Sequence, residues 1–147
     1  MSNSTHFVLL NDQAQPPHRA HEDDAGFDLT TTEDIVLKPL ERKLAPTGVA
    51  VQIQQHRVGM ICPRSGLAAK QGVTVLNAPG IIDSGFTGEI KVILVNLSNE
   101  EVTLEAGSRV AQLVITPLAY VNLKETKTLK QTRRGSSGFG STGLKNK

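Results

Sequence analysis

Glu89-Ile90-Lys91-Val92-Ile93-Leu94-Val95-Asn96-Leu97 is a nine-residue β-favouring run whose pattern decides the fold class. In an extended chain Ile90, Val92, Leu94 and Asn96 face one way, and Lys91, Ile93 and Val95 the other. Both faces are largely apolar, which predicts a strand covered on both sides. Shorter β-rich runs flank it at residues 6–10, 34–37, 48–53, 58–62, 73–76, 102–104 and 109–116. Turn signals separate them: Pro16-Pro17, Pro46-Thr47-Gly48, Ala78-Pro79-Gly80, Ser98-Asn99 and Ala106-Gly107. Many short strands with few helical stretches imply an all-β sandwich, jelly roll or distorted barrel. A chain this short has few doubly covered strands to offer, so residues 89–97 also point to an oligomer. Lys91 within that run needs an anionic partner if buried, or else snorkels to solvent.

One segment breaks the pattern. Arg64-Ser65-Gly66-Leu67-Ala68-Ala69-Lys70-Gln71-Gly72 places Ser65 as an N-cap, good helix formers next, and Gly72 just past the end. It predicts a short helix of about two turns, whose first N–H groups suit an anion.

The bulk composition narrows the class. With 147 residues the chain fits a single domain. Cys62 is the sole cysteine, so no internal disulfide forms, which fits a reducing compartment such as the cytoplasm. No apolar run nears the roughly 20 residues that span a bilayer, and the first ten residues lack the basic segment of a signal peptide. Neither a membrane nor a secretory destination is expected. Residues 124–147 hold seven of the 16 basic residues and one of the 14 acids. A basic, Gly/Ser-rich tail on an acidic body suggests an arm that meets a polyanion. Aromatics make up 3% of the chain, too few for stacking platforms, so nucleic acid is not the expected partner.

Three segments carry chemistry. In Gly135-Ser136-Ser137-Gly138-Phe139-Gly140-Ser141-Thr142-Gly143, glycines and hydroxyls could cradle phosphate. Ser141 stands where a P-loop would have lysine, so that reading fails. Arg134 just before suits phosphate, and Phe139 suits stacking on a base. Residues 77–88 read as a hairpin in which Asp83 could take a proton from water. A turn aspartate bonding its own backbone is the plainer alternative. Asp23-Asp24-Ala25-Gly26-Phe27-Asp28-Leu29 reads as a turn bearing three carboxylates. Mg²⁺ typically uses one or two carboxylates together with substrate phosphates.

Five ordered pieces then combine. Ala25-Gly26-Phe27-Asp28-Leu29, Pro63-Arg64-Ser65-Gly66-Leu67-Ala68, residues 80–89, Arg109-Val110-Ala111-Gln112-Leu113 and residues 134–143 resemble the motifs of the trimeric dUTPase family. The resemblance runs from about residue 23 to residue 143. It implies a homotrimer of jelly-roll subunits with active sites at the interfaces, a body at residues 1–132, and a flexible C-terminal arm at residues 133–147.

The activity implied is Mg²⁺-assisted hydrolysis of dUTP to dUMP and pyrophosphate. Carried over by position, Asp28 helps hold Mg²⁺ through water, and Arg64, Ser65 and Gly66 bind the phosphates. Asn77 and the backbone of Ile81 and Ile82 read uracil. Asp83 contacts the sugar and orients the attacking water, and Gln112 bonds at the α-phosphate. Arg134 meets the γ-phosphate, Phe139 covers uracil, and Gly140, Ser141 and Thr142 close over the phosphates. Lys91 gains its anionic partner if it faces the nucleotide.

Three positions depart from the family pattern. Phe86 stands where tyrosine is usual, keeping the ring that packs on deoxyribose but losing a hydroxyl. Ser137 replaces a frequent glycine, and Gly85 a common aspartate.

Two rival functions remain. A dCTP deaminase of the same fold also favours phenylalanine at Phe86, yet it needs a glutamate on the following strand, and Lys91-Val92-Ile93-Leu94 has no acid. A non-catalytic trimeric nucleotide-binding module would need only the fold and a basic arm; the joint presence of Asp28, Asp83, Arg64 and Arg134 argues against it.

Overall fold

The structure, a computed structural model, describes residues 4–145, so the first three residues and the last two of the expected arm lie outside the described residues. Ten strands and one helix follow in order. They are β1 (His6–Leu9), β2 (Gly26–Thr30), β3 (Ile35–Leu37), β4 (Arg42–Gln52), β5 (Arg57–Cys62), α1 (Ser65–Gln71), β6 (Val73–Val75), β7 (Gly80–Ile82), β8 (Glu89–Asn96), β9 (Val102–Leu104) and β10 (Arg109–Pro117). Two four-stranded antiparallel sheets, ordered β1-β4-β8-β6 and β2-β10-β5-β7, enclose the core, with β3-β9 as a small third sheet. None of the sheets closes into a barrel; the architecture is a jelly-roll sandwich.

The doubly apolar run forms β8, paired with β4 on one side and β6 on the other. Its inward set, Ile90, Val92, Leu94 and Asn96, is 0–1% exposed. Those apolar side chains meet Leu29, Val49 and Leu113 from other strands in the central cluster. Burying each such side chain is worth about 1.5–3 kcal/mol, so the facing sheets are held chiefly by this layer. On its other face Val95 is buried, Ile93 half-buried and Lys91 exposed. Lys91 is therefore not a buried cation: its Nζ lies 3.8 Å from Glu89 Oε2, in solvent.

Asn96 shows what a buried polar residue requires. Its amide donates to Leu37 O at 2.9 Å and Glu100 O at 2.7 Å, and its oxygen accepts from Ser98 N and Oγ. Every hydrogen-bonding group of that side chain is thereby used, which offsets the cost of removing it from water.

Some local expectations need correction. Pro46-Thr47-Gly48 is not a turn between strands but lies inside β4, where the register with β8 shifts between Pro46 and Ala50. The bulge absorbs the proline, and Gly48 takes φ +65° there, a conformation other residues resist. Of the acidic turn expected at residues 23–29, residues 26–29 instead lie in β2, because they pair with β10 over a long sequence separation. Residues 77–88 do not form a hairpin ladder: β7 pairs with β5, whereas β8 belongs to the opposite sheet. The helix forms, and Gly72 ends it at φ +67°, its N–H donating to Ala68 O. Its N-cap, however, is Arg64 with no side-chain cap; Ser65 is already helical.

The packed body ends at Tyr120. Leu118 N donates to His56 O, and the Tyr120 ring meets His56 edge-on at 4.4 Å. Beyond it no strand or helix forms among the described residues.

Candidate functional site

Across one sheet, the register brings three of the quoted motifs together. Asp28 on β2 is the Cα partner of Gln112 on β10, and Gln112 is in turn the partner of Cys62 on β5. Two residues past Cys62 the chain reaches Arg64, which turns its side chain back over this line. Arg64 Nε donates to Asp28 Oδ1 at 3.1 Å, and Gln112 Nε2 donates to Pro63 O at 3.0 Å. Asp28, expected to help hold Mg²⁺, and Arg64 and Gln112, expected at the phosphates, thus stand together at one end of this sheet.

Two residues in the cluster were not singled out from the sequence. Arg109 Nη1 donates to Asp28 Oδ2 at 3.3 Å, while Arg109 O accepts from Arg64 Nη1 at 3.4 Å. Arg109 stood inside a quoted motif, but only the β2–β10 pairing reveals its contact. His18 pairs its backbone N–H and C=O with those of Asp28, which fixes the outer edge of β2.

The carboxylate of Asp28 is 17% exposed and each of its oxygens faces a guanidinium. Both contacts are charge-assisted and so stronger than neutral hydrogen bonds, though at 3.1 and 3.3 Å they are long for their kind. Ser65 and Gly66 lie exposed at the start of α1. A β-carbon at Gly66 would meet nothing within 4 Å, so the backbone there is open to a ligand. The first helical bond runs from Ala68 N to Arg64 O, which leaves the N–H groups of residues 65–67 without helical partners.

A second group gathers around β7. Ile81 and Asp83 are exposed and Ile82 is half-buried. Phe86 N donates to Asp83 O at 3.0 Å, closing the turn that presents the Asp83 carboxylate to solvent. The Phe86 ring is 44% exposed and folds back over Gly88, where a β-carbon would meet its Cζ at 3.0 Å. The Asn77 amide lies over Gly80, 3.3 Å from where a β-carbon would stand.

These two groups do not meet in one chain. β5 and β7 run antiparallel, so Ile82 pairs with Gly59, whereas Arg64 lies beyond the opposite end of β5. Asp83 falls level with Val58, so at roughly 3.3 Å per extended residue its backbone and that of Arg64 stand on the order of 20 Å apart.

The arm forms a third group. Arg134 Nε donates to Ser137 O at 2.9 Å, and successive turns close through Ser137 N, Ser141 N and Gly143 N. Phe139 is fully exposed, and Gly140 takes φ +85°. The hydrogen bonds of residues 126–143 run between residues two or three apart.

Comparison with known proteins gives one answer. The profile of the dUTPase family matches residues 12–143. The deoxyuridine 5'-triphosphate nucleotidohydrolase of Clostridium novyi (strain NT) is 51% identical over 134 residues, covering 91% of this chain and 94% of that protein. That of Bifidobacterium longum (strain NCC 2705) is 52% identical over 128 residues, covering 86% and 81%. Among solved structures, the Staphylococcus bacteriophage 80alpha dUTPase with dUPNHPP superposes with a TM-score of 0.90 at 30% identity, covering 97% of this chain and 100% of that one. A point mutant of the dUTPase from S. aureus phage phi11, described with the coordination of a structural Mg(II) ion, gives 0.82 at 27% identity, covering 88% and 100%.

Proposed function

The chain belongs to the dUTPase family, and from that premise we propose how its residues carry out dUTP diphosphatase chemistry. The observation that carries the reading is the union of Asp28, Arg64 and Gln112 in one cluster, drawn from three distant segments. Arg64, Ser65 and Gly66 bind the phosphates, and Gln112 holds the α-phosphate. Asn77 and the backbone of Ile81 and Ile82 read uracil's edge, where cytosine would present a donor in place of an acceptor. Phe86 packs on the deoxyribose.

Asp83 accepts a proton from water as the water oxygen bonds to the α-phosphorus. The bond from that phosphorus to the bridging oxygen breaks, and pyrophosphate leaves with dUMP formed. A general base of this kind contributes about 10²–10⁴-fold. Arg64 and Arg134 neutralise the growing charge. The arm, through Phe139, Gly140, Ser141 and Thr142, closes over the nucleotide and excludes bulk water.

Mg²⁺ fits this site as part of the nucleotide's phosphate complex. Among the described residues no three His, Cys, Asp or Glu side chains form a protein cage. Asp28 keeps lone pairs for a bridging water, although both oxygens already accept from guanidinium groups. The ion, when bound, supplies further neutralisation of the triphosphate.

The assembly we infer is a homotrimer with shared sites. With Arg64 turned back onto Asp28, a single α-phosphate is out of reach of both Arg64 and Asp83 of one chain; a neighbouring copy supplies the other half. Phe7, Val8 and Leu9 on the edge strand β1, and Leu10 just past it, are 42–56% exposed, apolar side chains that a second copy would cover. In such an assembly Lys91 exchanges Glu89 for the nucleotide. No helix among the described residues is long and apolar enough to cross a membrane, and a cytoplasmic role in limiting dUTP and supplying dUMP accords with the single free cysteine.

The test is product analysis of purified protein with dUTP or dCTP and Mg²⁺. Pyrophosphate release from dUTP supports the reading; ammonia from dCTP, or no turnover of either, removes it.

A further inference from the structure

The bracketing of Asp28 by two arginines has an electrostatic result. Arg64 and Asp28 alone form a neutral pair, and the carboxylate cancels most of the field that the Arg64 guanidinium would present to a phosphate. Arg109 changes the balance. Its Nη1 sits 3.3 Å from the second carboxylate oxygen, so the three groups together carry one net positive charge. Arg109 also touches Arg64 directly, its carbonyl oxygen accepting from Arg64 Nη1. Arg64 is thus oriented from two sides, by the carboxylate that Arg109 neutralises and by the Arg109 backbone.

Resting on the reading of this cluster as the phosphate site, we propose that Arg109 is a positioning residue. It neutralises Asp28 so that Arg64, held in place by that same carboxylate, keeps its charge for the nucleotide. Its own guanidinium, 55% exposed, is held against Asp28 Oδ2, and it acts through that carboxylate.

The proposal separates charge from mere structure, because removing the carboxylate should undo the harm of removing the arginine. The probe is the α,β-imido analogue of dUTP, with equilibrium binding measured calorimetrically in metal-free buffer containing chelator, alongside thermal unfolding. Arg109→Gln should weaken binding about tenfold, the worth of one charge-assisted contact, and Arg109→Lys should recover most of it. The double variant Asp28→Asn/Arg109→Gln should bind more tightly than Arg109→Gln alone, a coupling of the kind neighbouring charges give. With dUTP and Mg²⁺, Arg109→Gln should raise KM more than it lowers kcat. A double variant that binds no better than the single, or an Arg109→Gln protein with unchanged affinity, overturns the proposal. Should Arg109→Gln unfold early, the comparison of Arg109→Lys with Asp28→Asn/Arg109→Lys decides in the same way. Binding of the analogue to the parent protein checks the phosphate-site reading separately: if the parent does not bind it, that reading fails first.

Discussion

Gly26 and Gln112 touch so closely across the β2–β10 ladder that a β-carbon on Gly26 would overlap the Gln112 amide oxygen, with Gln112 Cβ 3.0 Å away. The glycine is present for space and not for an unusual φ. It lets Gln112 lie flat enough to donate to Pro63 O and so to stay beside Arg64.

Gly26→Ala should therefore displace Gln112 without altering its chemistry. The expected cost is about 1–3 kcal/mol of stability from overpacking, and on the order of tenfold to a hundredfold in turnover from misplacement of the amide. Thermal unfolding together with steady-state kinetics on dUTP measures both. A variant with full turnover would detach Gln112 from the reaction.

Asp83 stands exposed at the turn after β7, with only its carbonyl engaged by Phe86 N among the hydrogen bonds described above. Asp83→Asn should leave unfolding temperature and nucleotide binding intact while lowering kcat by about 10²–10⁴-fold. Retained turnover at the parent rate would take the residue out of the mechanism.

Because the hydrogen bonds described for residues 126–143 run between residues two or three apart, removal of the arm should cost the body little. A chain cut before Arg134 is expected to unfold at the same temperature and assemble as the parent does. Its turnover should drop on the order of a hundredfold for want of the lid. Full activity after truncation would end the lid assignment.

Asn96 offers the opposite dissociation. Asn96→Ala leaves the buried Leu37 carbonyl without this donor and takes one of two donors from the Glu100 carbonyl, which should cost about 1–3 kcal/mol. The protein that remains folded at low temperature should keep the parent kcat. Differential scanning calorimetry and kinetics at one temperature separate the two effects.

Much of this was legible in the residues, and the exceptions share a cause. β8 could be read from its nearly continuous run of apolar, β-favouring residues, whose inward set packs on the core. β2 could not, since glycine and aspartate weaken its local preference and only pairing with β10 makes it a strand. Pro46 misled for the reverse reason: a strong local turn signal is absorbed by a bulge in a long strand. Ser65 had the side chain of a cap, but the chain enters the helix one residue earlier, where Arg64 is committed to Asp28. Arg109 was visible as part of a motif, while its contact exists only because Asp28 lies between two arginines from different strands and loops. Local propensity was readable; long-range pairing was not.

The placement of Asp83 and Arg64 at opposite ends of β5 reaches into genetics. In the shared-site assembly inferred above, copies crippled at one end keep the other end whole, so co-expressed Asp83→Asn and Arg64→Gln chains should complement each other. Mixed assemblies would contain some wholly wild-type sites, and a bacterium or test tube holding both dead alleles would regain dUTP breakdown that neither provides by itself.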